Sequence, residues 1–305
     1  MRILVALGGN ALLKRGEPMR AATQRANVDT AAVALAALIA AGHQLIITHG
    51  NGPQVGLIAL QAAAGPADGV YPLDILGAES EGMIGYLIEL ALRNLLPPGA
   101  LVACLLTQTR VSATDPAFQH PTKPIGPVYE EAEARGFAKS LGWSVAPDGP
   151  KWRRVLASPE PLEILEAPVI AMLADGGVTV ICAGGGGIPV VTAAEDGLVG
   201  IEAVIDKDRA SALLAISLKA GMLLLLTDVD AVYSDFGKPD AKRLSNLDAA
   251  RIDLAAFAAG SMRPKVEAAG IFARASGGKA AIGRLQDAAA IIAGAAGTVV
   301  TAIDG

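Results

Sequence analysis

The chain has 305 residues, 52% of them hydrophobic and only 4% aromatic, enough for one large core or two lobes rich in small aliphatic side chains. A formal charge of −5, with no basic tract, excludes a nucleic-acid partner on electrostatic grounds. His43, His49 and His120 show no metal-ligand spacing, so no protein-held metal is expected, and Cys104 and Cys182 each lie in an apolar run, as buried thiols of a reducing compartment do.

Residues 2–7 (RILVAL) read as a buried strand that runs into a turn at Gly8, Gly9 and Asn10. This is not the pattern of a signal peptide. An apolar helix over 31–41 stops at Gly42, and a second strand over 44–48 ends in His49-Gly50-Asn51-Gly52-Pro53. A helix follows, then a longer one around 83–95, then a strand over 101–106. Between 110 and 161 the texture changes: eight prolines and the KWRR run at 151–154 mark an inserted subdomain or lid built of short strands. The alternation then resumes with a strand over 178–183, four glycines at 184–187, a helix at 213–218 and a strand at 222–227. Helices near 248–259 and 262–274, a strand at 279–282, a helix at 285–293 and a strand at 297–300 complete the reading. The longest uncharged stretch near the end, 288–303, falls short of the roughly 20 residues a membrane span needs. A cytoplasmic location without a membrane partner is expected.

Strands alternating with helices predict an α/β fold: an open, mainly parallel sheet sandwiched by helices, in two lobes, with a small protruding insert. In such sheets ligands bind beyond the carboxyl ends of the strands. Three strand ends here carry glycine clusters, which either close tight turns or let backbone N–H groups approach an anion; three on one edge favour phosphate or carboxylate binding. No GxxxxGK[ST] is present, and no kinase HRD or DFG.

Charge for a phosphoryl group has four candidate sources: Lys123 between two prolines, Lys207 between Asp206 and Asp208, Lys265 after Pro264, and Lys238 in FGKP. The two aspartates suit either the cap of the following helix or the anchoring of lysines. No Ser/His/Asp or Cys/His grouping is evident. An acid acceptor, already ionised, needs no general base, so the pattern fits phosphorylation of an acid better than of an alcohol.

The motifs ALGGNALL (6–13), THGNGPQVG (48–56), EGMIGYLIE (81–89), PTKPIGPVY (121–129), AGGGGIPV (183–190), GIEAVIDKDRA (200–210), LTDVDAVY (226–233) and GSMRPKVEAA (260–269) resemble those of the carbamate kinases, within the amino-acid kinase superfamily, over essentially the whole chain. The resemblance implies phosphoryl transfer between ATP and carbamate, with ATP/ADP and Mg²⁺ as cofactors, carbamate and carbamoyl phosphate as small-molecule partners, and a homodimer. It implies a catalytic set of Lys123, Lys207, Lys265 and Asp208. Gly8, Gly9, Asn10, Gly50, Asn51 and Gly52 would hold the substrate. Gly185, Gly186, Asp206, Asp228, Tyr233, Lys238 and Met262 would lie by the nucleotide. The chain would form one domain over 1–305, with a substrate lobe over 1–200 holding the lid at 110–160, and a nucleotide lobe over 201–305. Related kinases usually carry a lysine just before the first glycine turn; here that position is Leu7, as the carbamate kinases resembled also lack it. Arg263 and Glu81 depart from the expected pattern. The alternatives that remain are another small-acid kinase of the superfamily and a non-catalytic ligand sensor.

Overall fold

In the computed structural model, which describes residues 1–13, 16–65, 71–193, 197–258 and 261–302 (Asn10 and Ala11 in the backbone only), one eight-stranded sheet runs through the molecule. Its order from edge to edge is Asn246–Asp248, Thr298–Thr301, Lys279–Arg284, Met222–Thr227, Arg2–Leu7, Gln44–His49, Thr179–Ile181, Val102–Cys104. All neighbours are parallel except Lys279–Arg284 and Thr298–Thr301. The predicted α/β class holds.

Continuous apolar runs explain the central strands, because a parallel strand covered on both faces has no wet side. Along Arg2–Leu7, Leu4 and Ala6 enter one core with Ile46, Leu223, Leu225 and Ile282. Helices Lys207–Ser217 and Met262–Ser276 cover that face through Leu214, Val266 and Phe272. Ile3, Val5 and Leu7 point the other way, to Val28 and Leu35 of helix Ala21–Ala40 and to Ile84 and Ile88 of helix Leu73–Leu95. Each fully buried Leu or Ile contributes about 1.5–3 kcal/mol.

The predicted insert is a separate layer. Lys151–Leu156 is the middle strand of an antiparallel sheet with Lys123–Tyr129 and Val145–Asp148 on its flanks, and helix Glu131–Leu141 packs on it. Tyr129, Phe137 and Trp143 form a ring cluster with centroids 5.1 and 5.3 Å apart. The guanidiniums of Arg154 and Arg135 stack on Trp143 and Trp152, so much of the basic KWRR run is spent inside the insert. Ile125 and Leu156 dock this layer onto Val55, Ala59, Leu73 and Leu76 of the main body.

Most differences from the sequence reading are extensions. The helix expected at 31–41 begins at Ala21, and the one at 213–218 begins at Lys207. The predicted 248–259 helix is not formed: Asn246–Asp248 is an edge strand, and only a single short turn follows at Leu254–Ala256. Asp248 and Asp253 accept from the backbone N–H groups of Ala250 and Ala255, and such side-chain bonds favour turns over helix despite the alanines.

Candidate active site

The first strand lies between Gln44–His49, from which the chain builds one half of the sheet, and Met222–Thr227, from which it builds the other. That reversal opens a crevice at the carboxyl ends, the usual place for a ligand in an open α/β sheet. Gly8 leaves the first strand by donating its N–H to Leu226 at 2.9 Å, and Gly50 leaves the second by donating to Leu7 at 3.0 Å. A Cβ on Gly50 would fall 2.9 Å from the Gly9 nitrogen, so the two turns press backbone on backbone. Asn51 is buried and donates to Ser80 Oγ at 2.7 Å, just before helix Gly52–Ala63. The side chain of Asn10 lies outside the described residues.

The third glycine cluster closes the crevice from the side. Ala183, with φ 48°, enters the turn at positive φ, and after Gly184 the chain returns to positive φ at Gly185, Gly186 and Gly187, with φ 68°, 96° and 89°. A Cβ on Gly185 would overlap the Asn51 side chain at 2.2 Å, which requires glycine on spatial as well as torsional grounds. Gly185 and Gly186 thus abut Asn51 and Ile205.

Glu81 holds this turn in place. It is fully buried, and its two oxygens accept from Gly184 N at 2.8 Å and Thr107 N at 3.3 Å. Two backbone donors on two oxygens suit a carboxyl group better than an amide, whose nitrogen would face a second N–H. Burial pushes its pKa up to about 8 although those N–H bonds oppose the shift. The departure at Glu81 is therefore structural: the side chain serves the backbone of the turn. His49, also fully buried, is pushed down to about 4 by burial, and its Nε2 finds no partner among the described residues.

Lys207 opens helix Lys207–Ser217, Asp208 follows it, and Lys265 stands in the first turn of helix Met262–Ser276. Asp208 accepts from Lys207 Nζ at 2.5 Å and from Lys265 Nζ at 3.0 Å. Only 11%, 7% and 13% of these side chains is exposed. Burial alone would raise the Asp208 carboxyl, yet the two ammonium groups outweigh it and hold it well below the usual range. Burial lowers Lys207, with the charge of Lys265 adding to the effect, while for Lys265 the attraction of Asp208 outweighs burial and raises it. The Thr48 and Ser211 hydroxyls, 2.7 Å apart, tie this helix to the second strand beside His49.

Lys123 reaches the same place from the insert and is ion-paired with Asp206. Both readings left open for the aspartates meet in Asp206: it anchors that lysine, and its Oδ1 caps the helix, accepting from Asp208 N at 2.9 Å and from Arg209 N at 3.2 Å. Asp228 follows the Met222–Thr227 strand and takes a bond from Thr227 Oγ1 at 3.1 Å. Tyr233 donates to Asp230, and Lys238 pairs with Asp235 in an exposed hairpin turn. Met262 is half-buried against the core. Arg263 donates to the Phe257 carbonyl at 3.2 Å, which accounts for the second departure from the expected pattern.

The family model for the amino acid kinase family matches residues 1–284. A carbamate kinase of Rhizobium meliloti is 52% identical over 303 residues, covering 99% of this chain and 93% of its own. A carbamate kinase of Giardia lamblia bound to citric acid superposes with a TM-score of 0.92 at 40% identity, over 99% of this chain and 98% of that one. The same enzyme bound to AMP-PNP gives a TM-score of 0.89. The chain belongs to the amino acid kinase family, among the carbamate kinases.

A carbamate kinase site must gather positive charge round a moving phosphoryl group, and the four residues expected for that work, Lys123, Lys207, Lys265 and Asp208, are linked here through Asp206 and Asp208. Two contributors were not visible in the sequence as such. Glu81 stood out only as one acid too many, and Thr109, whose hydroxyl donates to the Gly186 carbonyl at 2.7 Å, carried no signal at all.

Proposed function

We propose that this protein moves a phosphoryl group reversibly between ATP and carbamate, with ADP and carbamoyl phosphate as the other pair. The observation that carries the reading is the buried Lys207–Asp208–Lys265 cluster, set at the same sheet edge as the glycine turns. Two buried ammonium groups on one carboxylate leave net positive charge where a ligand would sit, in surroundings that screen it poorly.

In the proposed step the P–O bond to the carbamoyl oxygen breaks as a terminal phosphate oxygen of ADP bonds to phosphorus. Carbamate leaves as an anion, so no proton has to move and no general base is required. Backbone N–H groups at Gly9, Asn10, Asn51 and Gly52 cradle the carbamoyl end, and Gly8 and Gly50, whose own N–H groups are held by Leu226 and Leu7, let the two turns close round it. Lys207 and Lys265 meet the charge on the phosphate oxygens, Asp208 keeps the two lysines oriented, and Lys123 covers the transferred group from the lid. The nucleotide lies toward 201–305, along Asp228, Tyr233, Lys238 and Met262, with Gly185 and Gly186 beside it, whereas both oxygens of Asp206 are taken by Lys123 and the following helix. The substrate side belongs to 1–200 and the lid to 110–160.

Among the described residues no three His, Cys, Asp or Glu side chains gather as a metal site. Mg²⁺ would ride on the nucleotide phosphates, where it would neutralise charge when bound. Among the described residues no helix is long and apolar enough to cross a membrane. Cys104 and Cys182 are both free; burial pushes the Cys104 thiol up to about 11 and raises that of Cys182 well above the ordinary value, which supports a reducing cytoplasm. A homodimer is supported by the outer face of helix Leu73–Leu95, where Ile75, Met83 and Tyr86 are exposed next to the edge strand Val102–Cys104 and Leu106.

The test is ATP formation from ADP, Mg²⁺ and carbamoyl phosphate by the purified protein in a coupled assay. Turnover of at least about 1 per second is expected. ADP binding without any ATP formed would overturn the reading in favour of a ligand sensor.

A further inference from the structure

The lid base and the start of helix Lys207–Ser217 are joined at three adjacent points. Val204 donates its backbone N–H to the Ala157 carbonyl at 2.9 Å, Arg209 pairs with Glu160 at 2.5 Å, and between them Lys123 pairs with Asp206. The middle contact differs from the other two. Asp206 spends one oxygen, Oδ1, on the helix, accepting from Asp208 N and Arg209 N, and the other, Oδ2, on the lid lysine. Its side chain is only 11% exposed, so neither bond is readily replaced by water. One of the two residues it caps, Asp208, carries the buried charge that Lys207 and Lys265 share.

We propose that Asp206 is a positioning residue of the transfer: one carboxylate sets the lid lysine, Lys123, in register with Lys207 and Asp208. The proposal rests on the kinase reading above. It assigns Asp206 to the lid and the helix, not to direct contact with the nucleotide. A cap alone needs a single oxygen acceptor, which asparagine supplies as well as aspartate does. A cation held by the second oxygen needs the charge. The two roles therefore separate in Asp206→Asn, which keeps the cap and gives up the ion pair, and in Asp206→Ala, which loses both.

The experiment is a double-mutant cycle with Lys123→Ala, in which kcat, KM for ADP and the melting temperature are measured for the wild type, both single variants and the pair. Asp206→Asn is expected to lower kcat about 10- to 100-fold, as loss of one charge-assisted positioning bond does. KM for ADP should change less than about threefold, and melting should stay near the wild type. In the Lys123→Ala background the same substitution should cost less than about threefold, because the lysine it positions is gone. Asp206→Ala should lower the melting temperature as well, which calibrates the cap. An equal loss of kcat in both backgrounds, or a loss confined to KM for ADP, overturns the proposal and leaves the kinase reading intact. Wild-type turnover that Lys123→Ala leaves unchanged removes the lid lysine from the mechanism, and the proposal with it. No turnover in the wild type refutes the kinase reading itself.

Discussion

The positive charge of the site comes from two regions held in opposite ways. Lys207 and Lys265 ride on the first turns of two core helices, are almost wholly buried, and share Asp208 between them. Lys123 rides on a strand of the insert, is 32% exposed, and reaches Asp206 across the join between lid and body. The first pair is built when the core packs, and its orientation costs nothing at the moment of reaction. The second depends on a small docking interface, Ile125 and Leu156 against Val55, Ala59, Leu73 and Leu76, and on a single carboxylate. Rigid charge suits groups present throughout the reaction, whereas charge on a separate layer suits a group that must admit and then enclose a substrate.

The largest effect is expected where the rigid half is broken. Asp208→Asn leaves two buried ammonium groups without their counter-charge, so stability should fall by about 3–5 kcal/mol. Turnover should fall by about 10²–10³. Denaturant unfolding and the coupled assay read the two effects separately. A variant that melts like the wild type would mean that the lysines do not need Asp208, and the contrast between the two regions would lose its basis.

An effect on stability alone sharpens the comparison on the uncharged side of the crevice. Glu81 titrates near 8 in the folded protein against 4.5 unfolded, so the folded state retains a proton that the unfolded state has lost. Stability from this group is full below about pH 4.5 and is lost as pH rises to about 8, at up to about 1.4 kcal/mol per unit. Glu81→Gln has no such titration. The melting temperature of the variant relative to the wild type should therefore rise by roughly 2 °C per pH unit between pH 5 and 8 and level off above, whatever constant offset the amide introduces. A flat difference would show that Glu81 is ionised beneath the glycine turn.

The smallest effect on the chemistry is expected at the outer helix face. The proposed homodimer uses this face, so wild type should scatter light as a dimer and Tyr86→Arg, which places charge in the exposed apolar patch with Met83 and Leu106, as a monomer, with kcat within about twofold of the wild type. An unchanged dimer would move the interface elsewhere.

What could be read from the chain follows the same division. The glycine turns and the lysines that flank helix starts were legible because local rules demand them: left-handed φ at 185–187, a cap before Lys207, an apolar run before Gly8. The contacts that join the parts were not, since they link residues far apart. Lys123 meets Asp206 across 83 positions, and Glu81 meets Gly184 across 103. Asp206 was legible as a cap, but its second oxygen could be assigned only once the lid was in place. The failed helix at 248–259 shows the converse: alanine content suggested one state, and two short side-chain bonds from Asp248 and Asp253 favoured another.

The central claim, that the lid lysine serves the transfer while the nucleotide is held elsewhere, is tested most directly by measuring kcat and the ADP dissociation constant of Lys123→Ala side by side. The account predicts turnover lower by about 10²–10³, with ADP affinity within about threefold of the wild type. Equal losses in both would contradict it and make Lys123 a nucleotide-binding residue.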